Sequence, residues 1–318
     1  MVFEPFEAFG DVADIAERLL DKDAAVRRLA VLELASTASP EAVPHILSAV
    51  ADAVADVRLQ AAIALGEFGT PDAAGGLARL VVDPNPGVAQ AAADSLAELK
   101  DPSAGEPLLP LTAHGSAFVR AAALRALKEL RLGEALGPAV AALQDGEPSV
   151  RVQAVGVVAY LKLESTLPSL IAAARDENAE VRAAAVNALS FARHAGAANA
   201  IADALADADW QVRAAAAETL GRIGYASAGE ALTSVLDDAY WQVRQKALRS
   251  LGALKVRQAL ARILPLLGDE LPILRKEAAA ALGELADPAA REALSACAVD
   301  PDPDVRKTVR WALGRLAG

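Results

Sequence analysis

Two charged residue types recur along this chain at a fixed spacing. Aspartate stands at Asp21, Asp52, Asp83, Asp145, Asp176, Asp207, Asp238, Asp269 and Asp300, and six residues after each comes Arg27, Arg58, Arg151, Arg182, Arg213, Arg244, Arg275 or Arg306, with Asp83 followed by Ala89 and Arg120 preceded by His114. A carboxylate beside a guanidinium can do two kinds of chemistry. It can act in acid–base work when its environment displaces the pKa, or it can pair bidentately, because the planar arginine fork matches two carboxylate oxygens. Other chemistry has little to stand on. The sequence holds no G-x-x-x-x-G-K-[ST] phosphate loop, no H-E-x-x-H and no paired C-x-x-C. Its three histidines, His45, His114 and His194, fall at different phases of the repeat described below, on a first helix, at a turn and at the end of a second helix, so they do not converge on a metal. The single cysteine, Cys297, excludes an intrachain disulfide and reads as a small core residue. No cofactor and no metal are expected, and no residue is assigned a catalytic role.

The elements that carry these residues follow from a repeat of 31 residues. Its anchors are Val26, Val57, Val88, Val119, Val150, Val181, Val212, Val243, Leu274 and Val305, ten in all without an insertion or deletion. Four residues after the anchor comes alanine in nine repeats and Val309 in the tenth, and eight after it leucine in nine and Val158 in the fifth. Spacings of four and eight lie on one face of an α-helix, here called helix B. Its start is marked three residues before the anchor by Asp23, Asn85, Ser116, Asn178, Asp209 and Asp302, which can accept a bond from the free N–H groups of a first turn. Pro86, Pro148, Pro272 and Pro303 follow at the first helical position, where a missing N–H costs nothing. A more variable apolar segment precedes each cap and forms helix A, several times opened by a cap and proline: Ser39-Pro40, Thr70-Pro71, Asp101-Pro102, Asp287-Pro288.

One hairpin of this size cannot bury its apolar faces alone, so neighbouring repeats must stack. The expected fold is all-α, an α-solenoid (superhelix) of ten 31-residue hairpins over residues 11–318, the last of them a cap. Arg310 stands where the nine earlier repeats have an apolar residue, and with Lys307 and Arg315 it gives that cap a polar face. Residues 1–10 form a separate arm whose Phe3, Phe6 and Phe9 are expected to cover the open first repeat. Composition agrees: 54% of the 318 residues are hydrophobic but only 4% aromatic, and alanine suits closely packed helices.

The pattern in "DADWQVRAAAAETLGRIG" closely resembles the short HEAT-like repeats of the phycobilin lyase type. That resemblance covers residues 11–318 and implies a fold more than a function, since similar repeats occur in chromophore lyases, deoxyhypusine hydroxylases, accessory domains and designed proteins. It also implies that the aspartates and arginines form a hydrogen-bonded ladder along the stack. The two exceptions, Ala89 and His114, fit this: if the arginine of one repeat bonds the aspartate of the next, they are two halves of one lost rung. Pairs such as Arg58–Asp83 and Arg213–Asp238 are then expected. The His-Glu iron ligands of a deoxyhypusine hydroxylase have no counterpart here.

The net charge of −11 and pI near 4.9 oppose wrapping on a phosphate backbone, so no nucleic-acid partner is expected. No window is long and apolar enough to span a membrane and the first residues show no leader pattern, which points to the cytoplasm. Function then rests on the outward face of helix B, which in HEAT-like solenoids is the concave one. Positions two and three after the anchor are small or uncharged in the middle repeats, where Ala121, Val152 and Ala183 begin an apolar trough flanked by Arg125, Tyr160, Asn187, Phe191, Glu218, Arg222 and Arg249. Trp210 and Trp241 occupy the first position of helix B in successive repeats and are either cover for that turn or a partner hot spot. The expected function is a non-enzymatic interaction scaffold for a protein partner, with a basic segment suited to the negative charge. The alternative is lyase-like or chaperone-like handling of a chromophore-bearing protein, with the trough and Tyr160 as its pocket.

Overall fold

The computed structural model describes residues 12–192 and 194–316, so the expected Phe3, Phe6 and Phe9 arm lies outside the described residues. The chain is an all-α solenoid of paired helices, and no strand occurs among the described residues. It divides into two compact bodies, Met1–Leu161 and Lys162–Gly318, each holding five of the repeats.

In the first body, helix B of repeats one to five spans Ala24–Ser36, Ala55–Gly66, Pro86–Glu98, Ala117–Leu130 and Pro148–Leu161; in the second, repeats six to ten give Ala179–Ala188, Trp210–Ile223, Trp241–Ala253, Pro272–Leu285 and Pro303–Arg315. Within each body every helix B packs on the next. The residue four after the anchor is buried in all ten repeats, from Ala30 to Val309. Small residues let these helices close up. A Cβ on Gly221 would stand 2.9 Å from Cα of Ser250, and one on Gly252 would stand 2.9 Å from Cα of Ala281, so the backbone of the following helix fills the space a side chain would need.

Capping follows the sequence with two corrections. The side chains of Asp23, Asn85, Asn178, Asp209 and Asp302 accept amides of the first turn of helix B, and Thr70, Asp101 and Asp287 do the same for the helix A side. Ser116 sits at the cap but makes no cap bond. Ser39 does not cap a helix: its hydroxyl accepts the amide of Glu41 in a turn, and the helix begins at Ala42. Helix A is less regular than helix B. In repeat four it is 3-10 throughout, Pro102–Ala113, because Pro107 and Pro110 lack an N–H and crowd the carbonyl four residues back, which blocks the α pattern.

The ladder is present and more tightly specified than pairing alone requires. Arg58 donates from Nε to Oδ2 of Asp83 at 2.6 Å and from Nη2 to Oδ1 at 2.9 Å. The same fork joins Arg27 to Asp52, Arg120 to Asp145, Arg182 to Asp207, Arg213 to Asp238 and Arg275 to Asp300. Arg244 and Asp269 are looser, at 3.6 Å. Each arginine also turns Nη1 back to its own repeat: Arg58 donates to the carbonyls of Asp52 at 2.8 Å and Ala53 at 3.3 Å. Each aspartate in turn accepts the amide two residues on, as Asp83 does from Asn85 at 2.8 Å. His114 keeps that local half of the role, its Nδ1 accepting the amide of Ser116 at 3.1 Å, while the rung to Ala89 is lost.

The arginine hydrogen bond holds the Asp83 carboxyl below the usual carboxylate range, against the opposing effect of burial, and the Asn85 amide adds to it. Asp300 is lowered in the same way by Arg275. A carboxylate whose pKa is depressed on folding stabilises the fold fully above its unfolded value, about 3.9, and loses that contribution as pH falls through the folded value. The melting temperature should therefore hold from neutral pH toward pH 5 and drop below about pH 4. Asp83→Asn, which keeps the turn acceptor but not the charge, should cost about 1 to 2 kcal/mol at pH 7 and show a smaller acid-induced fall in a pH series of thermal melts. Conversely, Ala89→Arg with His114→Asp should restore the missing rung and raise the melting temperature by more than the two single changes together; additive effects would mean no rung had formed.

Candidate functional site

The two WQVR segments are alike in sequence but differ in structure. In repeat seven, Asp209 caps helix B and Trp210 opens it, and the indole stacks on Tyr240 of repeat eight with centroids 5.4 Å apart and planes 12° from parallel. Tyr240 stands at the cap of its own helix and makes no cap bond there. The guanidinium of Arg213 lies 5.8 Å from the same ring while it holds the Asp238 rung. Trp210 is thereby part of the joint between two repeats. Trp241 has at the corresponding place, 30 residues on, Leu271 instead of an aromatic, and it remains 37% exposed.

The trough residues divide between the two bodies, Ala121, Arg125, Val152 and Tyr160 in the first and Ala183 onward in the second. Ala121, Val152 and Ala183 are half-buried. The expected second line of the trough, three residues after the anchor, is not on the surface in two of its members: Ala122 and Ala215 are 6% and 9% exposed. Residues at that phase turn toward the preceding repeat. Glu277, at the same phase, shows this by accepting from Gln245 at 3.2 Å and Arg249 at 2.6 Å, both on the helix before it. Several flanking residues are likewise engaged. Arg125 lies 3.5 Å from Asp94, Glu218 pairs with Lys246 at 2.9 Å, and the Tyr160 ring lies under Arg131 at 4.8 Å, its hydroxyl accepting from that guanidinium at 3.3 Å.

Two candidates, Phe191 and Arg222, line one groove in the second body, and a third, Asn187, bonds Arg222 from behind it. This groove, of about 760 Å³, is bordered by Phe191 at the end of repeat six, by Arg222 and Tyr225 at the end of helix B in repeat seven, and by His194 at the start of helix A between them. Gly224 makes the bend, with φ +75°, a left-handed conformation that side chains resist. Arg222 donates from Nη2 to the carbonyl of Asn187 at 3.3 Å, and Thr219 donates to the Asn187 amide oxygen at 3.3 Å, so Asn187 steadies the cation. Tyr225 donates to Asn199 at 2.9 Å. His194 is not at the end of helix B, as its sequence position suggested. It caps helix A of repeat seven, its Nδ1 accepting the Gly196 amide at 3.1 Å, which puts the proton of the neutral ring on Nε2. The groove thus offers a phenyl ring, a phenol, an imidazole N–H and a guanidinium. It can hold an apolar side chain beside an acceptor or anion.

Tyr240, Tyr225 and His194 were not singled out in the sequence as contributors. The available signals were a tyrosine where other repeats cap with Asp, Asn or Ser, and a His-x-Gly step ahead of a helix. No helix among the described residues is long and apolar enough to cross a membrane.

A family model described as HEAT repeats matches residues 12–83, 74–139, 136–221, 167–241 and 229–314. No curated protein matches the sequence significantly. Among solved structures, the Escherichia coli protein YibA is 20% identical with a TM-score of 0.63, over 79% of this chain and 96% of its own. An engineered protein is 19% identical with a TM-score of 0.52, over 96% and 99%. Kap95p, in a structure with RanGDP, is 16% identical with a TM-score of 0.62 over 96% of this chain, which spans 48% of it. These likenesses are of fold.

Tyr240→Ala should remove the Trp210 stack, cost about 1 kcal/mol in a denaturant titration and shift tryptophan emission to the red. Trp241→Ala should stay within about 0.5 kcal/mol of the parent; a larger loss would make that ring structural too.

Proposed function

We propose that this chain, which belongs to the HEAT-repeat family, is a non-catalytic interaction scaffold that takes a segment of a protein partner in the groove of its second body. The observation that carries this reading is the convergence of Phe191 and Arg222, each picked out separately in the sequence, on one open groove with His194 and Tyr225. An apolar side chain of the partner lies between the aromatic rings, and a carboxylate or carbonyl is held by Arg222 and by Nε2 of His194. The net charge of −11 favours encounter with a partner that is basic overall, while the groove orients it locally. The fold likeness to Kap95p, whose solved complexes include RanGDP and Nup1, supports protein binding as the use of such a stack. A cytoplasmic setting fits a chain with one cysteine.

A second reading rests on the size of the same groove. About 760 Å³ lies within the range of small-molecule sites, roughly 300 to 1,000 Å³, and its aromatic and cationic lining suits a chromophore of the kind handled by the lyase-type repeats. Recovery of partners from the source cell, identified by mass spectrometry, distinguishes the two. Phe191→Ala with Arg222→Glu should reduce recovery of a specific partner by about tenfold or more, whereas Ala121→Glu in the first body should leave it unchanged. Undiminished recovery by the folded double variant would overturn the groove as the site. A change in the visible spectrum on mixing with a bilin, lost in the same variant, would favour the second reading.

A further inference from the structure

In the second body, the edge where helix A turns into helix B departs from the capping pattern at two neighbouring repeats. Asn178, Asp209 and Asp302 cap helix B in repeats six, seven and ten. Repeats eight and nine place Tyr240 and Leu271 there, and neither makes a cap bond. A cap side chain stabilises a helix start, so these two repeats forgo that gain for apolar residues that stay on the surface. Tyr240, Trp241 and Leu271 are 46%, 37% and 37% exposed, so the neighbouring repeats do not seal them. Pro272 is exposed as well.

These residues form one row. Trp210, at the first position of helix B, stacks on Tyr240 at the cap position of the next repeat. The same relation sets Trp241 opposite Leu271. The surroundings are acidic. From the rung aspartate to the anchor, the turns of repeats six to ten read DENAEV, DADWQV, DAYWQV, DELPIL and DPDPDV, with six carboxylates besides the rungs and not one lysine or arginine. Asp304 shares a small cleft with Lys276, 3.8 Å away, and Lys307, and Arg306 follows in the chain, so the cations of this edge stand at repeat ten. Elsewhere the nearby cations are taken: Arg213 by Asp238, Lys246 by Glu218 at 2.9 Å, and Arg262 by Asp237. The excess of negative charge therefore falls beside the apolar row, at Asp209 before Trp210 and at Glu270 before Leu271, and no ion pair engages either among the described residues. Each full charge outweighs the positive end of an uncapped helix, about half a unit.

We infer that this edge docks a segment of another protein that presents an aliphatic side chain next to an arginine or lysine. The aliphatic side chain covers Leu271 and Pro272. The cationic one lays its stem along the exposed indole of Trp241, where attraction between charge and ring adds to burial, and carries its head to Glu270. The stack of Trp210 on Tyr240 holds the adjoining part of the row in place. The inference does not rest on the groove at Phe191 and Arg222. That groove borders the far end of helix B in repeat seven, Trp210–Ile223, which is 14 residues and so about 20 Å long.

A labelled peptide of Arg-Leu-Gly-Ser units, titrated with the full chain at low salt and followed by fluorescence anisotropy, tests this. It should bind saturably, and peptides with glutamate for arginine or serine for leucine should bind at least about tenfold more weakly. Trp241→Ala and Glu270→Lys should each weaken binding about tenfold, and added salt should weaken it as well. Leu271→Asn removes the aliphatic contact while giving repeat nine the cap residue that works in repeats three and six, so binding should fall with the melting temperature held or raised. Phe191→Ala should leave the affinity unchanged; a loss there would move the site to the groove and overturn the inference. Equal affinity of the parent and the three edge variants would assign binding to the overall charge of the chain, and that too would sink it, as would a lack of saturable binding or equal binding of the glutamate peptide. A sedimenting mass above 32.7 kDa that returns to this value in Trp241→Ala would make a second copy the occupant instead.

Discussion

A guanidinium shared between two turns sets the geometry of this molecule. Five N–H donors in a rigid plane cannot be aimed independently. Once Nη1 is committed to two carbonyls of its own repeat, the Nε and Nη2 edge can reach a carboxylate in only one place, and the next repeat supplies it there. The aspartate is constrained in the same manner, because one oxygen also closes the turn that leads into helix B. Each rung thus fixes both the spacing of two repeats and their rotation. An inserted residue in helix A or the turn would rotate the following elements by about 100° relative to the aspartate and break the fork. The absence of any insertion or deletion across ten repeats follows from this constraint more directly than from core packing, which tolerates changes that preserve volume.

The apolar seam works at shorter range. Gly221 against Ser250 and Gly252 against Ala281 bring successive B helices to backbone contact, so the packing there depends on residues that are missing a side chain. Polar groups inside this seam find backbone partners, as the Ser250 hydroxyl does at the Ala217 carbonyl, 2.7 Å away. The rungs lie along one edge of the stack and the seam runs between the B helices. The groove at Phe191 and Arg222 occurs where helix B of repeat six ends in a 3-10 turn, Leu189–Phe191, instead of continuing as α-helix.

Much of this was legible in the residues because the repeat gives ten readings of one pattern. The anchors and the helix B caps other than Ser116 follow from spacing and from hydrogen-bonding capacity, and the pairing of Arg58 with Asp83 follows from the ladder that the resemblance to HEAT-like repeats implies, taken with the coincident exceptions Ala89 and His114. The candidate face was legible only in part. Helical phase tells which residues turn away from the partner helix of the same hairpin, but it does not say where the next helix B will land. Ala122 and Ala215 therefore looked solvent-facing and are covered. Tyr240 was hidden by its position: a tyrosine at a cap looks like a weak cap until the ring opposite it, Trp210, is seen 30 residues earlier in sequence and 5.4 Å away in space. Arg131 and Tyr160 pair across successive helix ends, a contact set by the left-handed backbone of Arg131, φ +54°, which helical periodicity does not describe.

The defect between repeats three and four has a particular form. Ala89 and His114 bracket the stretch from helix B of repeat three to the all-3-10 segment Pro102–Ala113, so the lost rung and the least regular helix A belong to one block of chain. Residues 84–114 are one period, 31 residues, and a recombination that excised them would place Asp83 six residues before Arg120. Arg58 would still hold Asp83, and Arg120 would still hold Asp145. The irregularity is therefore confined to a cassette that can be lost without leaving a scar in the ladder, and a gene built this way can change its length while each new joint inherits working chemistry from the old ones.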